Sequence, residues 1–283
     1  MNGQGKLIVF TGSTPNIGTT VVAFGTAVLL AQLSGEPLGY ICLNLKSSKL
    51  HHYVGLEPCP PGVDQIRAEM RSGGLTPGFL KSRMVQVKGA PGVHVLFGSL
   101  QREQAEFFQP EDISHLLDIA TQCFSRCVVE VNAYWDNAAT LAALMQADER
   151  ILVTSPELGH FQEDVNRGLK QMAPLFGMSP EGFLLAVTQH NRSDGLTPQD
   201  AAKETGMRLA AVVKADPELR RLLGQGRLAE YIGDNDWFTQ ALIPLCGELG
   251  VSPKEPASAE GIWALLGRQS RLFLGGRTPR RNQ

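Results

Sequence analysis

The sequence lacks any run approaching the roughly 20 apolar residues that a membrane-spanning helix needs. It also lacks a surplus of charge: 26 Lys and Arg stand against 28 Asp and Glu, a formal net charge of −2. A dedicated nucleic-acid binder needs a basic surface, so nucleic acid is not an expected partner. Cysteine is sparse, and the five residues Cys42, Cys59, Cys123, Cys127 and Cys246 are odd in number and scattered. That pattern excludes a disulfide framework and favours reduced thiols packed as small apolar groups. No Gly-x-Ser-x-Gly elbow is present, which removes the usual basis for a serine hydrolase. Met1-Asn2-Gly3-Gln4-Gly5-Lys6 shows no basic region leading into an apolar core, so no export signal is expected and the expected location is cytoplasmic.

What is present is enough apolar surface to offset chain entropy: 43% of the 283 residues are hydrophobic and 19% charged. Continuous apolar runs predict strands at 6–11, 38–45, 93–97, 127–131, 151–154, 183–188 and 209–213. Helical patterns at 19–33, 110–123, 137–147, 157–172, 198–204 and 236–246 separate most of them. Strands without polar alternation suit a parallel sheet covered on both faces. Their alternation with helices predicts a doubly wound α/β domain over residues 1–251. Residues 57–91, rich in Pro and Gly around a short helical stretch at 63–71, read as a mobile surface excursion near the ligand edge. Residues 252–283 read as a linker followed by an amphipathic basic tail.

In an open α/β sheet, ligands bind beyond the carboxyl ends of the strands. Ser13, Thr14, Pro15, Asn16, Ile17, Gly18, Thr19 and Thr20 form the loop and helix start at that edge. Backbone N–H groups of such a loop, with the helix N-terminus, form a cradle for phosphate. Thr20 sits where a P-loop places its magnesium ligand, but Ser13 replaces the first glycine of the usual pattern and Thr19 its lysine.

Gly18-Thr19-Thr20-Val21-Val22-Ala23-Phe24-Gly25-Thr26-Ala27 resembles the first loop and helix of the MinD/ParA family of deviant Walker ATPases. Ile41-Cys42-Leu43-Asn44-Leu45-Lys46 is similar to its switch I strand, and Ala147 through Glu157 to the segment after its Walker B helix. Val213-Lys214-Ala215-Asp216-Pro217-Glu218 is similar to the stretch near the adenine. The resemblance runs in order over about residues 6–248. It implies a P-loop NTPase fold, ATP and Mg²⁺ as cofactors, and a homodimer whose nucleotide sites face one another. It also implies nucleotide-binding roles for Ser13 through Thr20, Gln189 and Asp216, with Thr20 and Glu130 as magnesium ligands.

The departures concern the chemistry. The family's signature lysine matches Thr14 here, and its P-loop lysine matches Thr19. Its switch I carboxylates match Asn44 and Lys46, while its Walker B acid matches Glu130. Phosphoryl transfer is mostly positioning and charge stabilisation, so losing cations that face the phosphates removes the main catalytic contribution. Glu130 and Lys46 are the remaining catalytic candidates. The loop Ile17-Gly18-Thr19-Thr20 resembles the CpaE/TadZ branch, which helps place Tad (Flp) pilus machinery. Three readings stand: a localisation or assembly factor for pilus or secretion machinery with weak or absent hydrolysis, a slow Mg²⁺-dependent ATPase in partitioning or positioning, and an interaction scaffold that binds no nucleotide.

His51 and His52 follow the second strand, but adjacent side chains usually diverge and no third ligand stands nearby in sequence, so loop packing is expected. In the tail, Ile262, Leu265, Leu266, Gln269 and Phe273 align along one side at helical spacing, Trp263 and Phe273 suit a headgroup-level anchor, and five arginines, Arg268 and Arg271 among them, oppose the single acid Glu260 from Ala259 onward. This resembles the membrane-targeting helix of MinD and predicts docking on an anionic membrane or a partner, with a peripheral location on the inner face. The alternative is a last helix packed on its own domain.

Overall fold

The computed structural model describes residues 4–46, 48–157, 159–191 and 196–252. The expected strands form as β1 (Lys6–Gly12), β2 (Leu38–Leu43), β4 (Val93–Leu96), β5 (Arg126–Val131), β6 (Glu149–Thr154), β7 (Phe183–His190) and β8 (Arg208–Lys214). A two-residue strand, β3 (Val85–Gln86), joins them. The sheet order is β3-β4-β2-β5-β1-β6-β7-β8, and every pairing is parallel except β3 with β4. From β1 the chain first builds outward through β2 and β4, then turns to the other side through β6, β7 and β8. Strand order therefore reverses at β1, the point where such sheets open a crevice at their carboxyl edge.

The helices are α1 (Thr19–Ser34), α2 (Leu50–Tyr53), α3 (Val63–Ser72), α4 (Pro77–Arg83), α5 (Pro110–Cys123), α6 (Ala138–Gln146), α7 (Pro198–Thr205), α8 (Pro217–Leu223), α9 (Leu228–Asp234) and α10 (Asp236–Glu248). The helix expected from residue 157 begins at His160 and runs to Met172 with π-type hydrogen bonding. Two apolar layers cover the sheet. On one face α1, α9 and α10 pack against Ile8, Phe10, Tyr40 and Val128; on the other α3–α6 pack against Leu7, Val9, Ile41 and Val129. Alternate residues of each strand thus enter opposite cores, so neither face tolerates polar alternation.

Helix α1 is buried from Val21 to Ala31 because it lies between the sheet and α10. A Cβ on Gly25 would stand 2.7 Å from Phe238, so the two helices approach closely there. Phe24 packs edge-on against Tyr40, with ring centroids 5.5 Å apart. Fully burying a side chain of this size contributes about 1.5–3 kcal/mol.

Residues 57–91 depart from the expected surface excursion. Val63, Ile66 and Met70 fall on one face of α3 and are buried, as are Leu75, Leu80 and Met84. The prolines and glycines break this stretch into short helices; the apolar residues between them form part of the second core. All five cysteines are free, with Cys42, Cys127 and Cys246 buried. The tail residues Ile262, Trp263, Leu266, Arg268, Arg271 and Phe273 lie outside the described residues. Among those described, no helix is long and apolar enough to cross a membrane.

Candidate functional site

The loop between β1 and α1 is held from below by its neighbours. Ser13 N–H donates to the Val153 carbonyl (2.8 Å), and the Ser13 and Thr154 hydroxyls lie 2.9 Å apart. The Thr188 hydroxyl donates to the carbonyl of Ile17 (2.6 Å). Asn16 (φ 64°) and Gly18 (φ 97°) both take left-handed backbone, which folds the loop over the helix start. No side chain caps α1, so its first-turn N–H groups stay unpaired within the helix.

Those groups border a cavity of about 430 Å³. Its walls take Thr14, Pro15, Asn16, Ile17, Gly18, Thr19 and Thr20 from the loop and α1, Glu130 and Asn132 from the end of β5, Gln189 from β7, and Asp216 from beyond β8. Ser13 supports the loop from its β6 side and Lys46 lies elsewhere; neither lines the cavity.

Glu130 is 2% exposed and fully engaged. Register places it beside Phe10 on one side and Cys42 on the other, on the α1 face of the sheet. One carboxylate oxygen accepts from the Thr20 hydroxyl at 2.5 Å. The other accepts from the Tyr40 hydroxyl at 2.7 Å and, more distantly, the Cys42 thiol at 3.8 Å. Burial pushes the Glu130 carboxyl above its usual range, against the lowering effect of these three donors. The same burial, with Glu130 alongside, pushes the Tyr40 hydroxyl well upward, so it remains a donor.

Lys46 is committed elsewhere. Its ammonium meets Asp136 Oδ2 at 2.6 Å and lies 5.5 Å from the Tyr134 ring centroid. Partial burial alone would raise Asp136, but hydrogen bonds from Lys46 and Asn137 outweigh it and hold the carboxyl below its usual range. The cavity's positive charge comes instead from Lys49, Lys214 and Arg220, of which Lys49 and Arg220 had no role expected from the sequence. Lys214 lies over the Trp237 ring, 4.3 Å from its centroid. Asn132 was also missed. Its side-chain oxygen accepts from Tyr134, Asn137 and Thr140, while its buried Nδ2 has no acceptor among the described residues.

Asp216 lines the cavity with its carboxylate already used. It caps α8 by accepting from Glu218 N–H (2.9 Å) and accepts the Tyr231 hydroxyl (2.9 Å). Gln189 reaches back toward the loop, Nε2 to the Asn16 carbonyl at 3.5 Å. His51 and His52 do not diverge as expected: their ring centroids are 3.8 Å apart, and Glu57 joins them.

A nucleotide and magnesium fit this donor set. The uncapped start of α1 suits phosphate, and Asn132 Nδ2 offers a donor without an acceptor. Lys49 and Arg220 supply cations, and the volume lies in the range of small-ligand pockets. The Thr20 hydroxyl donates its hydrogen bond to Glu130, which leaves its oxygen lone pairs free for a hard cation.

Sheet order, loop position and cavity together define the P-loop NTPase architecture, in its MinD/ParA form. No family model and no curated protein sequence matches the chain. Among solved structures, it is similar to a ParA-family ATPase from Chlorobium tepidum (TM-score 0.73, 16% identity, covering 85% of this chain and 98% of that one). It is likewise similar to the MinC:MinD cell-division complex of Aquifex aeolicus (0.70, 16%, 90% and 98%). The same holds for the septum-site-determining protein MinD of Pyrococcus horikoshii, solved with Mg-ADP (0.68, 20%, 86% and 96%). At these identities the likeness establishes the fold.

Proposed function

We propose that the chain is a divergent MinD/ParA-like localisation or assembly factor that binds ATP with Mg²⁺ and hydrolyses it weakly or not at all. The observation that carries this reading is the division of charge around the cavity. The phosphate cradle is intact, yet the loop offers Thr14 and Thr19 where the resembled family has lysines, and Lys46 is paired with Asp136. Loss of one group facing developing charge typically costs about 100- to 1000-fold in rate, so losing several leaves binding without efficient turnover. In this reading the first turn of α1 and Asn132 hold the phosphates, Thr20 and Glu130 hold the metal, and Lys49 and Arg220 add positive charge from the cavity lining. Bound Mg²⁺ would supply charge neutralisation at the phosphates.

The likeness of Ile17-Gly18-Thr19-Thr20 to the CpaE/TadZ branch supports Tad/Flp-type pilus or secretion machinery as the assembly served. A homodimer, a domain over 1–251 and a basic tail over 252–283 docking on anionic membrane belong to the same proposal. Calorimetry with ATP–Mg²⁺, paired with a phosphate-release assay, tests the reading. Saturable binding with turnover far below that of a lysine-bearing relative supports it. Efficient hydrolysis would reassign the chain as a working ATPase.

The direct Thr20–Glu130 contact favours one other reading, a scaffold whose metal site has closed on itself. Absence of any saturable nucleotide binding would select it.

A further inference from the structure

Helix α2 is only four residues long, and the way it ends brings together three side chains that do not line the nucleotide cavity. Gly55 N–H donates to the His52 carbonyl (3.1 Å) and Leu56 N–H to the His51 carbonyl (2.9 Å), closing the helix into a tight turn. Gly55 holds φ 70°, and a Cβ there would stand 2.8 Å from the Gly226 carbonyl oxygen, so only glycine fits both the backbone and the space. The turn carries the chain back until the Glu57 carboxylate meets His52 Nδ1. His51 stacks on His52 with rings tilted by 40°. One potential ligand atom from each of His51, His52 and Glu57 lies within 4.8 Å of the other two.

The three differ usefully in exposure. His51 is 4% exposed, and its Nδ1 has no hydrogen-bond partner among the described residues. A buried imidazole nitrogen without a partner carries a desolvation cost that a metal ion would relieve. His52 and Glu57 are more than half exposed and border an open depression of about 660 Å³, so an ion can enter from solution.

We propose that His51, His52 and Glu57 form a binding site for a zinc-class divalent transition metal, two imidazoles and a carboxylate leaving one position open to solvent. Two nitrogens and one oxygen match the ligand set of such ions. A single carboxylate is too few oxygen ligands for the hard ions Ca²⁺ and Mg²⁺, which need several. Binding would replace the His52–Glu57 contact with metal–ligand bonds and fix α2, which also places Tyr53 in the wall of the nucleotide cavity.

The test uses the tag-free full chain in nucleotide-free buffer, so it is independent of any reading of the phosphate loop. Zn²⁺ is titrated by competition with a chromophoric chelator, and Co²⁺ is followed by its visible absorption. One saturable equivalent with tetrahedral-type Co²⁺ bands is expected. His52→Ala and Glu57→Gln, both at exposed positions, should each weaken Zn²⁺ binding by at least the roughly 10- to 100-fold that loss of an outer partner of a ligand costs. Cys59→Ser, two residues beyond Glu57, should leave the affinity unchanged. Absence of a saturable equivalent overturns the proposal. So does binding that survives both ligand variants or disappears with Cys59→Ser.

Discussion

Tyr40 and Thr20 hold the two oxygens of one buried carboxylate between them: the Glu130 side chain accepts from Tyr40 at 2.7 Å and from Thr20 at 2.5 Å. A residue of the central sheet is thereby tied to the first turn of α1, and the phosphate loop is anchored at its far end. Loss of the Tyr40 hydroxyl leaves a carboxylate short of a donor without opening a cavity. Tyr40→Phe is expected to cost about 1–3 kcal/mol in urea denaturation. Combined with Glu130→Gln, the two effects should fall short of their sum, because they remove parts of one network.

The raised pKa of Glu130 fixes the sign of a pH effect. An acid whose folded pKa lies above its unfolded value supports the fold fully below the unfolded value, and that support is lost as pH rises through the folded pKa. Glu130→Gln carries no such titration. The advantage of wild type over Glu130→Gln should therefore shrink or invert between about pH 4 and about pH 8, by about 1.4 kcal/mol per pKa unit. Urea midpoints at the two pH values check it; an advantage growing with pH would contradict the assignment.

Thr20→Ala should weaken Mg²⁺-dependent ATP binding, whereas Asn44→Ala, at a position that has already lost its carboxylate, should have a smaller effect. Calorimetry with and without Mg²⁺ separates the two. Equal, negligible effects would mean the loop is only structural.

Arg220 contributes cavity charge that the loop does not. Arg220→Ala is expected to lower ATP affinity by about 1.5 kcal/mol, roughly tenfold, with little change in melting temperature. An affinity indifferent to both this change and added salt would remove Arg220 from the site.

Removal of residues 260–283 should abolish binding to anionic liposomes while leaving a cooperative melt. Each arginine near such a surface contributes about 1 kcal/mol, so the effect should weaken with salt. Loss of the melt in the truncated chain, with no liposome binding by the full chain, would assign the tail to the domain core.

The sheet was legible because its strands are continuous apolar runs, and the phosphate loop because Gly12, Pro15, Asn16 and Gly18 interrupt one strand and one helix. Lys49, Asn132 and Arg220 were not. Lys49 caps α2, Asn132 follows β5 and Arg220 lies within α8, and only the parallel register brings these three strand–helix units together. The His51–His52–Glu57 cluster was hidden for a similar reason: helical spacing separates the neighbours, and only the left-handed turn at Gly55 returns a carboxylate to them. In residues 57–91, turn residues masked the i, i+3, i+7 spacing of Val63, Ile66 and Met70.

The sheet ends in a stub. At one border β3 offers two residues, antiparallel to its neighbour and directly behind α4; at the other, β8 pairs with β7 through an irregular register. The β3 border is too short to present the long, flat row of open amides and carbonyls that lets one copy continue the sheet of another. Growth by strand addition, and the fibrous association it invites, is thus discouraged at that end of the sheet.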